Sequence, residues 1–183
     1  MTVLIIEGPD LAGKGFAIEK ISKAFRNGFL IKNLYKPKEH TDSKIYKQYW
    51  AIMKMCEKQE FIILDRFFPS QAVYSYMRGE DEMKSSMISL LDEECSEKGY
   101  IYVYLDTTLE NLENRFDQRG DEHIQRKDLM KLRQRYNKFW QQTKMDKIKI
   151  DTTKLGWLEM LKEFVEECDN EYKRYKKHGK HTR

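Results

Sequence analysis

Apolar residues gather in five short runs along this chain: Val3–Ile6, Phe29–Leu34, Phe61–Leu64, Tyr100–Leu105 and Ile148–Ile150. Each is rich in β-branched or aromatic residues and too short for a helix, so each predicts a buried strand. Between them the apolar positions fall at helical spacing. Ala17, Ile18, Ile21, Ala24 and Phe25 form the stripe of a first helix; Leu129, Leu132, Tyr136, Phe139 and Thr143 form that of a later one. Leu158, Leu161, Val165, Cys168 and Tyr172 serve the last. Near-continuous apolar strands alternating with helices predict a parallel sheet covered on both faces, a three-layer α/β fold. In such open sheets ligands sit beyond the carboxyl ends of the strands. Those ends are Glu7, Tyr35-Lys36-Pro37, Asp65-Arg66, Asp106 and Asp151.

The first strand runs straight into Gly8-Pro9-Asp10-Leu11-Ala12-Gly13-Lys14, and a helical pattern opens there through Gly15 and Phe16. A glycine-rich turn between strand and helix, ending in lysine, is a phosphate-binding loop. Its glycines let backbone N–H groups converge on an anion, and Lys14 and the helix N-terminus add positive charge. Residues 8–16 are therefore expected to hold the phosphates of a nucleoside triphosphate, ATP first. Gly15 and Phe16 stand where a Ser or Thr hydroxyl commonly holds magnesium. Magnesium keeps several waters and takes few protein carboxylates, so an indirect contact is the expectation.

Composition narrows the class further. At 183 residues the chain is long enough for one domain with a substantial core. No run approaches membrane-spanning length, and the N-terminus enters a strand at once, which leaves no room for a signal peptide. Three widely spaced cysteines, Cys56, Cys95 and Cys168, suit reduced thiols and a cytoplasmic setting. The formal charge of +4 is local: Lys173–Arg183 hold six basic residues, and without them 28 basic face 30 acidic residues. We read residues 1–175 as the domain and 176–183 as a basic tail, a solvated helix end before a nucleic-acid anchor.

At the third strand's end, Asp65-Arg66-Phe67 with Ser70 and Tyr74 supplies a carboxylate and a guanidinium facing the loop. Asp65 suits orienting water on magnesium, and Arg66 suits clamping an acceptor phosphate. Glu7-Gly8-Pro9-Asp10 followed by Ala12-Gly13-Lys14 resembles the Glu-Gly-x-Asp-Gly-Ala-Gly-Lys loop of thymidylate kinases, and Asp65 to Tyr74 is similar to their Asp-Arg-aromatic-x-x-Ser-x-x-x-Tyr segment. Arg119-Gly120-Asp121-Glu122-His123-Ile124 looks like their lid, placed here at about 115–126. Arg133, Arg135 and Tyr136 fall where their next helix carries Arg and Tyr, and Ile150-Asp151 matches their last strand.

The resemblance implies a five-stranded parallel sheet, a homodimer, ATP and Mg2+, and γ-phosphoryl transfer to a deoxynucleoside monophosphate, dTMP to dTDP first. It places Asp10, Lys36, Arg66, Phe67, Ser70 and Tyr74 at the acceptor, and Lys14, Asp65, Arg119 and Arg115 at the chemistry. Leu11 stands where some relatives carry a loop arginine, so the transition-state charge falls to Arg119, then Arg115. Lys36 gives a point charge where relatives place an arginine, which loosens the expectation of thymine. Tyr46, Tyr49, Trp50, Phe67, Phe68 and Tyr74 are the aromatic candidates beside the base; His40 and His123 lack partners at ligand spacing. Three alternatives stay open: a deoxynucleoside kinase acting on a 5′-hydroxyl, a kinase acting on a modified pyrimidine nucleotide or DNA, and an ATP-binding protein disabled at Gly15.

Overall fold

The computed structural model describes residues 1–24, 29–32, 42–79, 85–122 and 124–178. Along the chain it runs β1 (Thr2–Glu7), α1 (Lys14–Ala24), β2 (Phe29–Lys32), α2 (Asp42–Cys56), β3 (Phe61–Asp65), α3 (Phe68–Arg78) and α4 (Ser85–Glu97). There follow β4 (Tyr100–Asp106), α5 (Leu109–Arg119), a 3₁₀ turn (Arg126–Asp128), α6 (Leu129–Gln142), β5 (Asp146–Asp151) and α7 (Trp157–His178). The strands form one five-stranded sheet in the order β2-β3-β1-β4-β5. Every pairing is parallel, with Ile6 beside Asp65 and Asp106 beside Asp151. Chain order reverses about β1, so the crevice for a ligand opens at its carboxyl end, between β3 and β4.

The pleat divides the core. Val3 and Ile5 of β1, with Tyr100, Tyr102 and Tyr104 of β4, face one layer; there they meet Tyr49 and Met53 of α2, Phe68 and Val73 of α3, Leu91 of α4, and Leu132 and Tyr136 of α6. Leu4 and Ile6, with Val103 and Leu105, face the other, against Ala17, Ile18 and Ile21 of α1 and Leu161 and Val165 of α7. Burying each such Leu or Ile is worth roughly 2 kcal/mol, so both sheet faces contribute to stability. Ala24 departs from its expected stripe: it is exposed in the last turn of α1, while Phe25 lies outside the described residues. Cys56, Cys95 and Cys168 are buried free thiols that fill core volume. Among the described residues no helix is long and apolar enough to cross a membrane.

Candidate functional site

The loop after β1 is set by close backbone approach. Gly8 has φ +148°, and a Cβ there would sit 2.2 Å from the Leu105 carbonyl oxygen of β4. Neither backbone can yield without breaking sheet pairing, so only glycine fits. Gly8→Ala is expected to lower unfolding free energy by more than about 3 kcal/mol, read by urea denaturation. Leu11 takes φ 69°, uncommon for a branched side chain. Two contacts hold it there: its side chain is buried in the core, and Arg115 of α5 donates from Nη1 to its carbonyl at 2.6 Å. Ala12 N–H then closes the turn on the Pro9 carbonyl at 3.2 Å.

Lys14 begins α1 and folds its ammonium back over the loop. Nζ donates to the Gly8 carbonyl at 2.8 Å and to the Pro9 carbonyl at 3.0 Å. Asp10 lies 3.9 Å from the same nitrogen. Burial, reinforced by the charge of Arg66, lowers the Lys14 pKa to about 7, although Asp10, Glu7 and Asp65 pull it up. The lysine is held where an incoming phosphate would restore its charge.

Across the crevice, Arg66 leaves β3 in a left-handed conformation, φ 65°, with its N–H on the Ile6 carbonyl at 3.2 Å. That turn aims the guanidinium at the loop. Nη2 donates to Asp10, and Nη1 donates to Ser70 Oγ and Tyr136 Oη, each at 3.0 Å. Tyr74 donates its hydroxyl to the other oxygen of Asp10. Three of the five guanidinium N–H bonds are thus engaged among the described residues, which leaves Nε–H and one on Nη2 for an anion. The phosphate loop and the tip of the third strand therefore face each other in one crevice.

Glu7 ties the two halves together. Phe67 is the N-cap of α3 and offers no side-chain bond of its own. The missing acceptor comes from β1: Glu7 Oε1 accepts from the N–H groups of Phe67 at 2.7 Å and Ser70 at 3.2 Å, and Oε2 accepts from Ser70 Oγ at 2.5 Å. The carboxyl is fully buried, which raises its pKa, while Arg66, Ser70, Phe67 and Lys14 oppose that rise. In sequence it closed an apolar strand and opened the phosphate-loop motif; neither signal pointed to its capping of α3. Tyr136, from α6, where the motif resemblance set a tyrosine without a role, is the other member; its hydroxyl lies 2.9 Å from Ser70 Oγ.

Other expected residues divide. Asp65 stands half-buried at the end of β3 and accepts from no donor among the described residues. Arg119, in the last turn of α5, is exposed and likewise unpaired among them. Pro9, Ala12 and Gly13 line the loop, and Gly13 faces the Trp157 ring, which a Cβ would meet at 3.8 Å. Gly15 has open space around it. Phe16 has its side chain 51 % exposed on α1, near Trp157 at 6.3 Å between centroids and under Lys20, so its backbone and not its ring lies with the loop. Phe67 corrects an expectation. Expected at the acceptor, it is fully buried and packs edge-on against Tyr49 and Phe68, because three rings there close the core under α3.

Tyr49 and Phe68 are therefore core as well; Tyr46 donates to Glu94 at 2.6 Å, and Trp50 is exposed. Asp106 is taken by Arg133, bidentate at 2.9 and 3.0 Å, and by Lys149 at 2.7 Å. Those donors hold its carboxyl below the usual range against the burial that would raise it. Arg133 is thus committed to the end of β4. Arg126 pairs with Asp117 and Glu113 on the surface. Lys36, His40 and His123 lie outside the described residues.

Comparison with known proteins agrees with this fold. The structure of YorR from Bacillus subtilis in complex with phosphorylated GDP superposes with a TM-score of 0.77 over 93 % of this chain and 97 % of that one, at 22 % identity. In sequence, the SPbeta prophage-derived protein YorR of Bacillus subtilis (strain 168) is 22 % identical over 166 residues, 90 % of this chain and 98 % of the relative. Deoxyadenosine kinase from M. mycoides with bound dATP gives a TM-score of 0.62 at 17 % identity, over 91 % of this chain and all of that one. These likenesses are of fold. The model of Polyphosphate kinase 2 (PPK2) matches residues 1–159. What that family and the thymidylate kinase motifs share is the P-loop kinase superfamily, and within it this chain belongs to the polyphosphate kinase 2 (PPK2) family.

Proposed function

We propose that the protein transfers the γ-phosphoryl group of ATP to a deoxynucleoside monophosphate, with dTMP the first acceptor to test. One observation carries the reading: Asp10 of the phosphate loop is bound by Arg66 and Tyr74 from the opposite wall, so donor and acceptor sites share a boundary. The unused edge of Arg66 fits a phosphate oxygen pair, and Ser70 and Tyr136 keep the guanidinium in plane. Phosphoryl transfer asks mainly for positioning and for positive charge around the moving group. Lys14 supplies that charge from one side, Arg119 from the other. Asp65 would hold Mg2+ through water, and the ion would neutralise phosphate charge. Its open carboxylate beside the loop fits that role; among the described residues no three His, Cys, Asp or Glu side chains gather as a metal cage.

Arg115 and Arg119 take different parts. Arg115 is spent on the Leu11 carbonyl, so it shapes the loop, whereas Arg119 is free to swing over the donor from the hinge at Gly120. Arg119→Ala is expected to lower kcat about a hundredfold with melting temperature unchanged. Arg115→Ala should lower both, because the left-handed Leu11 loses its tether. Steady-state kinetics with thermal melts on the two variants separate the roles; matching losses in both would remove the distinction.

A second reading keeps the site and changes the partners. The family's name points to polyphosphate as donor, and the resemblance to deoxyadenosine kinase points to a nucleoside 5′-hydroxyl as acceptor. The deciding experiment crosses two donors, ATP and polyphosphate, with dTMP, thymidine, dGMP and GDP, and identifies products by chromatography. Transfer from ATP to dTMP above all others supports the first reading. Preference for thymidine or for polyphosphate replaces it. Homodimer formation, expected from the motif resemblance, is checked in the same preparation by sedimentation.

A further inference from the structure

Away from the phosphate loop, a cleft of about 480 Å³ opens where α3, α4 and α6 meet. That is the volume of a site for a small organic ligand. Its walls are Val73 and Tyr76 of α3, Ile88 of α4, and Phe139 of α6, with Arg135 and Lys138 beside them. None of these side chains belongs to the crevice already described. On α3 the crevice takes Ser70 and Tyr74 and the cleft takes Val73 and Tyr76; on α6 the crevice takes Tyr136 and the cleft takes Arg135 and Phe139.

Charge selects the occupant. Asp92 also lines the cleft, but its carboxylate is spent internally, on the Thr143 hydroxyl and on Lys144 N–H at 2.7 Å. Lys131, Arg135 and Lys138 recur at i, i+4 and i+7 along α6, one face of the helix, and pair with no carboxylate among the described residues. Arg135 sits over the Tyr76 ring, with Cζ 3.0 Å from its centroid, and Lys131 Nζ lies 4.8 Å from the same centroid. A guanidinium on an aromatic face still has N–H groups to offer a second partner. An apolar floor beside cations that pair with no carboxylate among the described residues fits an anion with a flat body.

We propose that this cleft is a second binding site, for a nucleoside phosphate, whose anionic group is held by Arg135 and Lys138 and whose base lies against the apolar wall.

The test uses 1-anilino-8-naphthalenesulfonate, a flat aromatic anion, titrated into the nucleotide-free protein. The full chain is expected to bind one equivalent. Affinity should fall at least tenfold in Arg135→Glu/Lys138→Glu, and fall likewise in Ala72→Trp, a position of α3 that also lines the cleft, where the larger ring fills the space and keeps the cations. A panel of free nucleotides should then displace the dye, and an unchanged circular dichroism spectrum confirms that both variants fold. Equal dye binding by the variants, displacement of the dye by the crevice ligands alone, or displacement by citrate as readily as by any nucleotide overturns the proposal. The readout is binding, so it stands apart from whether transfer to dTMP is found.

Discussion

Replacing Lys14 by alanine is expected to reduce turnover about a thousandfold while leaving the melting temperature unchanged or slightly higher. The side chain contributes nothing to the apolar layers; it is buried over two carbonyls of its own loop. On the proposed function, removing it deletes the positive charge offered to the transferring phosphoryl group, and it also removes the desolvation penalty of a buried ammonium. Its pKa, lowered to about 7, adds a pH signature. In the free enzyme the ammonium is lost as pH rises through about 7, so donor affinity should fall on that limb in the native chain and not in Lys14→Met. The stability linkage runs the opposite way. The folded value lies below the ordinary lysine value of 10.5, so the folded chain binds fewer protons between the two. The penalty of burying the charge is complete below about 7 and is relieved as pH climbs toward 10.5, so native stability should rise across that window relative to Lys14→Met. Turnover within tenfold of native in Lys14→Ala would falsify the assignment of this loop as the donor site.

Arg66→Ala is the second large effect, and it is expected in two measurements at once. Acceptor KM should rise about a hundredfold, the worth of two charge-assisted hydrogen bonds to a phosphate. Unfolding free energy should drop by about 3 kcal/mol, because Asp10 would keep a largely buried carboxylate without its guanidinium partner. Arg66→Lys separates the two. A lysine restores charge beside Asp10 but presents no planar fork, so stability should recover further than acceptor binding. Isothermal titration with dTMP and urea denaturation supply the readouts. If the lysine variant recovers KM and stability together, Arg66 acts as a point charge and the bidentate geometry has no role.

Much of this was legible in the chain. The strands were, because residues buried on both faces of a parallel sheet must be apolar almost without interruption, and five such runs stand out. The loop was, because strand, glycines, lysine and helix are contiguous in sequence. Roles set by contacts between distant segments were not. Phe67 and Tyr74 sit in one motif with equal standing, yet one closes the core and the other reaches Asp10; helix phase and the neighbouring rings decide which. Arg115 and Arg119 share a helix face, but only Arg115 meets the Leu11 carbonyl.

The amino-acid sequence alone determined the layered α/β architecture, the position of the phosphate loop and the placing of Asp65 and Arg66 side by side at a strand end, since each depends on local periodicity and on backbone freedom at a few glycines. Only the tertiary structure decided that Glu7 caps α3 from another strand, that Tyr136 completes the Arg66 cluster from α6, and that Asp106 is closed by Arg133 and Lys149. Those partners lie tens of residues apart, and a hydrogen bond acts over about 3 Å, so nothing short of the folded chain could select them.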